Sequence, residues 1–523
     1  MFKGDMTNKK EMQQYLYIRG FLITDDKNID IEKYPFYGNW NANRIGCYSF
    51  YINNFQRLYT YECSNKVYFI IGHAYNPFTG EYKEDKILSY IAQSDINDTY
   101  YKAVSELTGN FMAGYVQDDK DIYFYGDAAC MMSTFYGVYK ENVYISSHTQ
   151  LIGDICGIEV DPFIRELLEY KYYNLFGRCL PGDLSPYKPF KRVVPNFEYT
   201  YSDKLFSWKR FYLKEKINIV SSDEDYCHII NDSYNIMKNS LNLISKKWKS
   251  PAISLTGGCD SKTTLSCVEN LNDYSYFSYV SVEKEKPDAE AAHKIAALLG
   301  FEHKIYEIPA EMENYPEFDI AEDILKANCG NIGKVNTNDI KKRIYFSKIN
   351  DFDVEVKSWV SEVARAYYHK RFAKKKMPKN VTPRILTSAY KFLINNHKLS
   401  KSVDEVFEEY LGKYYTKSDF DNIEWYDLMF WEYRVAAWNG LVITGEHSYS
   451  FDITIPYNNR ILLKKLLSTP LKYRIIDKPH KDIQKIGNMM IADTEIAVQN
   501  VEHTKKRAFM EKLYFDVSSK IIV

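Results

Sequence analysis

The sequence predicts two architectures in series: an α+β half of stacked antiparallel sheets, then an α/β half on a parallel sheet with a helical C-terminal extension. Three observations carry this. The length of 523 residues exceeds what one hydrophobic core serves and calls for at least two domains. Up to about residue 205 the chain is dominated by short runs rich in β-branched and aromatic residues, separated by polar turns. From about residue 222 helical and strand patterns alternate, as expected of parallel strands joined by right-handed crossovers. The domains are therefore 1–210 and 211–523.

In the first half the strand runs are 14–23, 57–63, 66–75, 110–117, 121–126 and 142–147, with helices at Asp98–Leu107 and Pro162–Tyr173. In the second, a long helix over Asp223–Lys247 has apolar residues at helical spacing. Residues 251–260 then read as a buried strand running into two glycines. A helix (261–271), a strand (274–282), a helix (Asp288–Leu299) and a strand (303–308) follow. Beyond residue 310 the pattern is mainly helical, with one more strand at Asp353–Trp359.

Composition sets the outer limits. Hydrophobic residues are 45% and charged residues 26%, a globular balance that excludes disorder. With 68 Lys+Arg against 69 Asp+Glu the net charge is −1, which disfavours a nucleic-acid-coating protein. Nine cysteines, with no CxxC pair, disfavour a zinc ribbon or a disulfide framework and favour a reducing compartment. The polar start and the lack of an 18-residue apolar window predict a cytoplasmic protein without a membrane partner.

The segment richest in chemistry is Ser254-Leu255-Thr256-Gly257-Gly258-Cys259-Asp260-Ser261. Glycines let backbone N–H groups close on an anion, and a helix starting there adds its positive end. The Thr256 and Ser261 hydroxyls can donate, and Asp260 suits a Mg²⁺ that bridges to phosphate oxygens. The segment resembles the pyrophosphate loop of ATP pyrophosphatases, with Thr256 in the first Ser position. That resemblance implies ATP and Mg²⁺, an adenine nucleotide α-hydrolase-like fold, and adenine contacts from the next strand at Tyr279, Val280 and Ser281.

Further matches widen the resemblance to asparagine synthetases. Asp288 to His303 is similar to their "D-x-x-x-A-x-x-x-A-x-x-L-G-x-x-H" stretch, Leu107 to Ala113 to "L-x-G-x-F-A", and Asp452 to Asn459 to "E-x-R-x-P-F-L-D". Gly126-Asp127, the strand Tyr136–Tyr139 and Ile145–His148 follow the family's order. The resemblance implies an N-terminal glutaminase-type (Ntn-hydrolase-like) sandwich and a C-terminal synthetase domain. It implies a catalytic acid at Glu362 and a catalytic lysine at Lys505 or Lys506, in the run His503–Arg507. Five departures matter. The chain begins Met1-Phe2 rather than with a nucleophilic Cys, and Ile71 replaces the oxyanion Asn, so the first domain is expected to be inactive, as in β-lactam synthetase and lasso-peptide cyclase. Arg365 stands where an acid assists Mg²⁺, and would bind a phosphate or an anionic substrate instead. Thr454 and Asn459 replace an Arg and an Asp, so aspartate is not the expected substrate.

The expected activity is an AMP-forming carbon–nitrogen ligation. ATP adenylates the carboxylate of a small-molecule, peptide or glycan substrate, and an amine or ammonia, drawn from solution or another protein, displaces AMP. A homodimer is compatible with this. The alternatives are an ATP pyrophosphatase acting on a nucleobase or tRNA carbonyl, and a degenerate non-catalytic paralogue. Ser146, Ser147 and His148 are expected to be strand-end residues, Cys259 a packing residue, and the basic run Lys370–Lys376 a solvated helix end.

Overall fold

The strand runs of the first half pair into two six-stranded antiparallel sheets. The computed structural model describes residues 9–394, 396–492 and 505–520. In the first sheet Phe21–Thr24 lies between Tyr48–Asn53 and Asn142–Ser146. In the second, Lys66–Tyr75 and Thr108–Gln117 pair along their full lengths. The sheets face each other across an apolar core, where Phe50 of one meets Phe69 of the other at 5.2 Å between ring centroids. The outer face of the second sheet is covered by helix Glu84–Ile96, whose Ile87, Leu88 and Ile91 pack with Ile70 and Ala74.

The second half is built on a five-stranded, all-parallel sheet in the order Lys304–Glu307, Ser275–Val280, Pro251–Ser254, Val354–Val356, Asp452–Thr454. The helix expected over Asp223–Lys247 forms with those bounds, because Ser222 caps the Asp225 amide at 3.0 Å and three carboxylates occupy its first turn. No helix among the described residues is long and apolar enough to cross a membrane.

Several elements differ from the sequence reading. Helix Glu84–Ile96 was not foreseen, since its apolar stripe is short and lies among polar residues; the expected helix at Asp98–Leu107 shrinks to Tyr100–Ser105. The helix expected over Pro162–Tyr173 stops at Glu169, with Asp161 capping the Phe163 amide at 2.9 Å. Strands Trp40–Ile45, Tyr48–Asn53, Phe190–Arg192, Phe197–Ser202, Leu205–Arg210 and Asp452–Thr454 also went unread. The last is three residues long, too short to show a period.

The segment after that last strand joins the two halves. Asn458 donates to Gly109 O at 2.7 Å and to the Asp127 carboxylate at 2.8 Å, and accepts from the Ala129 amide at 2.9 Å. Asn459 caps the Leu462 amide at 2.9 Å and donates to Glu106 O at 2.9 Å. Arg460, fully buried, donates to Gly126 O at 2.7 Å and Asn196 Oδ1 at 3.1 Å. The Thr454 hydroxyl meets Tyr75 OH at 3.1 Å. Thr454 and Asn459 thus serve the joint between the halves. Asn458→Ala is expected to cost about 1–3 kcal/mol, because buried Asp127 loses a donor and Gly109 O is left unmatched. A melting temperature equal to wild type would contradict this.

Candidate functional site

The first crossovers run from Pro251–Ser254 out to Ser275–Val280 and Lys304–Glu307; the chain then returns to place Val354–Val356 on the other flank. The strand order reverses between Pro251–Ser254 and Val354–Val356, and a crevice opens beyond their carboxyl ends. The glycine loop leaves one strand and the segment from Lys357 to Glu362 leaves the other, so both face one space.

The loop is braced by its own hydroxyls and by Asp288 of helix Lys286–Leu299. Ser261 Oγ donates to Thr256 O at 2.8 Å, the Gly258 amide donates to Thr256 Oγ1 at 3.1 Å, and the Gly257 amide to Asp288 Oδ1 at 3.1 Å. The Ser261 hydroxyl and the Gly257 and Gly258 amides, read from sequence as phosphate donors, are engaged within the protein. What remains directed outward is the start of helix Cys259–Ser266, which has no side-chain cap and favours an anion. A cavity of about 320 Å³ opens there, bounded by Ser254, Thr256, Ser261, Ser278, Ser358 and Glu362 among others. The Val280 carbonyl accepts from the Ile308 amide at 2.9 Å, while Tyr279 lines the cavity.

Glu362 sits on the short turn Ser361–Ala364, bracketed by two left-handed residues, Val360 at φ 74° and Ala366 at φ 52°. A β-branched residue there costs on the order of 1–3 kcal/mol, strain that the surrounding packing must hold. The Oε2 atom of Glu362 is sealed from solvent without a hydrogen-bond partner. Burial, reinforced by the Asp260 charge, pushes its carboxyl up to about 7. A group poised near neutrality suits proton transfer.

Asp260 accepts from the Ser361 hydroxyl and pairs with Arg365. Arg365 also forks onto Asp477 at 2.8 and 3.0 Å, and Lys370 pairs with the same carboxylate. Burial opposes the Asp477 charge, yet the two cations hold its carboxyl down at about 2. Arg365 therefore acts first as a tie: of its five N–H groups, three are engaged with carboxylates. As arranged, Asp260 does not fit the metal role read from the sequence. Both of its oxygens are taken, and a divalent ion on the same carboxylate would meet a fixed guanidinium.

A second cavity, of about 1260 Å³, shares Tyr279, Lys357, Trp359 and Glu362 with the first, so Glu362 stands where the two meet. Helix Lys505–Ser518 borders it through Arg507, Ala508 and Glu511. Lys505 and Lys506 begin that helix; their side chains lie outside the described part of the structure. The sequence reading missed Asp477, Ser361 and Lys357. Lys357 is buried against Glu355 at 2.7 Å, an i,i+2 pair that a strand places on one face. Asp477 lies more than a hundred residues from Arg365, with no local signal to mark it.

Ile71 is fully buried in the sandwich, and Phe2 lies outside the described residues. Ser147 and His148 are buried and bonded to each other at 2.8 Å, with the Ser147 hydroxyl also accepting from the Phe21 amide at 2.9 Å; burial lowers the imidazole to about 3. Cys259 accepts from Gln484 Nε2 at 3.5 Å, and burial pushes its thiol up. Within the basic run, Lys370, Arg371 and Lys374 pair with Asp477, Glu511 and Asp516.

No family model matches the sequence, and neither does any curated protein. Among 28 matching chains of solved structures is the glutamine phosphoribosylpyrophosphate (PRPP) amidotransferase from B. subtilis, complexed with ADP and GMP. It is 9% identical, with a TM-score of 0.23, over 57% of this chain. The match spans 61% of that structure's chain, and a likeness of this size transfers neither fold nor activity.

The raised Glu362 carboxyl has a stability consequence with a definite sign. Its protonated form is favoured by folding, so it contributes stability below the ordinary value of 4.5 that is lost as pH climbs through about 7. Relative to Glu362→Gln, the wild-type melting temperature should fall between pH 5 and pH 8. Parallel curves for the two proteins would contradict the assignment.

Proposed function

We propose that this chain is an ATP-dependent, amide-bond-forming synthetase. The observation that carries the reading is the position of Glu362, a carboxyl tuned near neutrality at the junction of two cavities. One lies at an uncapped helix start after a glycine loop, and the other is large and rich in cations. ATP occupies the smaller cavity with its phosphates toward the start of helix Cys259–Ser266. The acid substrate occupies the larger one.

In the first step a substrate carboxylate oxygen attacks the α-phosphorus, the bond to the bridging oxygen breaks, and pyrophosphate leaves. The helix N-terminus and the unengaged N–H groups of Arg365 stabilise the charge that builds on the phosphates. Lys357, paired with Glu355, adds a fixed positive group at the junction. In the second step an amine or ammonia attacks the acyl carbon, Glu362 takes up the proton released from nitrogen, and AMP departs with the electron pair of the cleaved bond. Lys505 or Lys506, at the head of a helix that borders the cavity, stabilises the acyl oxyanion and the leaving phosphate. Ile71 in the oxyanion position supports an external nitrogen source.

The test is pyrophosphate release from ATP by the full chain, against a panel of carboxylic acids with ammonium present. One or more acids should elicit AMP and pyrophosphate. Glu362→Gln should keep acid-dependent ATP–pyrophosphate exchange while amide formation falls by about 10²–10⁴-fold. Release with none of the acids, or only with tRNA, would refute the reading. Glutamine is expected to support amide formation no better than ammonium does; stoichiometric glutamate release from glutamine would show a working glutaminase.

A further inference from the structure

Helix Thr337–Phe346 carries three consecutive buried cations, Lys341, Lys342 and Arg343, exposed by 4%, 7% and 2%. Two of them are matched. Lys341 pairs with Glu313 at 3.2 Å, and Lys342 with Glu285 at 2.7 Å and Asp339 at 3.4 Å. The third is not. The Arg343 guanidinium makes no hydrogen bond or ion pair with any described residue, and its Nε and Nη1 are sealed without partners. Arg343 borders the larger cavity.

The nearest acid on its own helix, Asp339, also borders the cavity but pairs with Lys342 at 3.4 Å. Arg178 is taken by Glu446, and Lys357 by Glu355. His447 is held neutral by burial and then by the nearby positive charges, Arg343 first among them. A buried guanidinium without a partner is among the most costly arrangements a folded protein can keep. Such a residue is explained when the protein spends part of its time with an anion bound. The cavity of about 1260 Å³ is several times larger than a single amino acid requires, and Trp359, Tyr367 and Trp438 add flat aromatic walls.

We propose that Arg343 anchors a second anionic group of the substrate, of the phosphate class, remote from the carboxylate that is activated. The acid substrate is then a phosphate- or diphosphate-bearing acid, such as a sugar acid on a phosphate carrier, rather than a free amino acid. A doubly charged phosphate offsets the cationic excess of the cavity better than a second carboxylate does, and guanidinium matches its oxygens. Naming the bound molecule the substrate rests on the synthetase reading; the anion site itself does not.

The experiment uses the full chain, without ATP, and inorganic phosphate as the probe, followed by isothermal titration calorimetry. Wild type should bind phosphate saturably, Arg343→Gln at least tenfold more weakly, and the loop variant Gly258→Asp as wild type does. Binding that survives Arg343→Gln, or is lost in Gly258→Asp, would assign the phosphate to the glycine loop and overturn the proposal, as would the absence of saturable binding. A second readout guards against misfolding. Ligand-free Arg343→Met should melt above wild type, because an unmatched buried charge has been removed. A lower melting temperature would show the guanidinium to be structural and would also overturn it. Both readouts stand whether or not pyrophosphate release is observed, so failure of the anion site and failure of the synthetase reading are distinguishable.

Discussion

The geometry of the site depends on one guanidinium. Arg365 bridges Asp260, on the first turn after the glycine loop, and Asp477, which immediately precedes helix Lys478–Gly487. Three parts of the chain that are remote in sequence thereby meet: the loop at 256–261, the strained turn at 360–366, and the segment at 477. The charges are partly buried, so removing any partner leaves an uncompensated one. The tie also sets the electrostatics of Glu362. Its carboxyl is raised by burial and by the Asp260 charge, and lowered by Arg365. Arg365 is thus the internal cation around which the pocket is ordered.

The N-terminal sandwich supports this site. Its joint to the parallel sheet runs through Asn458, Asn459 and Arg460, which satisfy buried carbonyls and the carboxylate of Asp127. Those residues follow the edge strand Asp452–Thr454, so the same few positions complete the parallel sheet and bind the two halves. Ile71 is part of the core of that sandwich.

Much of the fold was legible in the sequence. The long helix at Asp223–Lys247 and the alternating strands and helices after it stand out because the helix has a long apolar period and the strands are short, mostly buried apolar runs. The strands Phe190–Arg192 and Asp452–Thr454 and helix Glu84–Ile96 were not legible, because pairing and packing rather than local pattern decide them. At the site, the glycine loop, Glu362 and Arg365 could be read from spacing and resemblance. The partner of Arg365 could not, since Asp477 is 112 residues away and joined only by the tertiary fold. Nor was it legible that the Ser261 hydroxyl and two of the loop's amides are spent on groups of the protein itself, or that Arg343 is buried with Nε and Nη1 lacking hydrogen-bond partners.

The central claim is that the crevice between Pro251–Ser254 and Val354–Val356 is a nucleotide site whose anion contact is the start of helix Cys259–Ser266. The measurement that tests it most directly is a crystal structure of the full chain with a non-hydrolysable ATP analogue. The account predicts the polyphosphate against the Cys259–Ser261 amides, with the α-phosphate facing the cavity shared with Glu362. A nucleotide bound elsewhere, or a crevice that stays free of it at saturating concentration, would contradict the account.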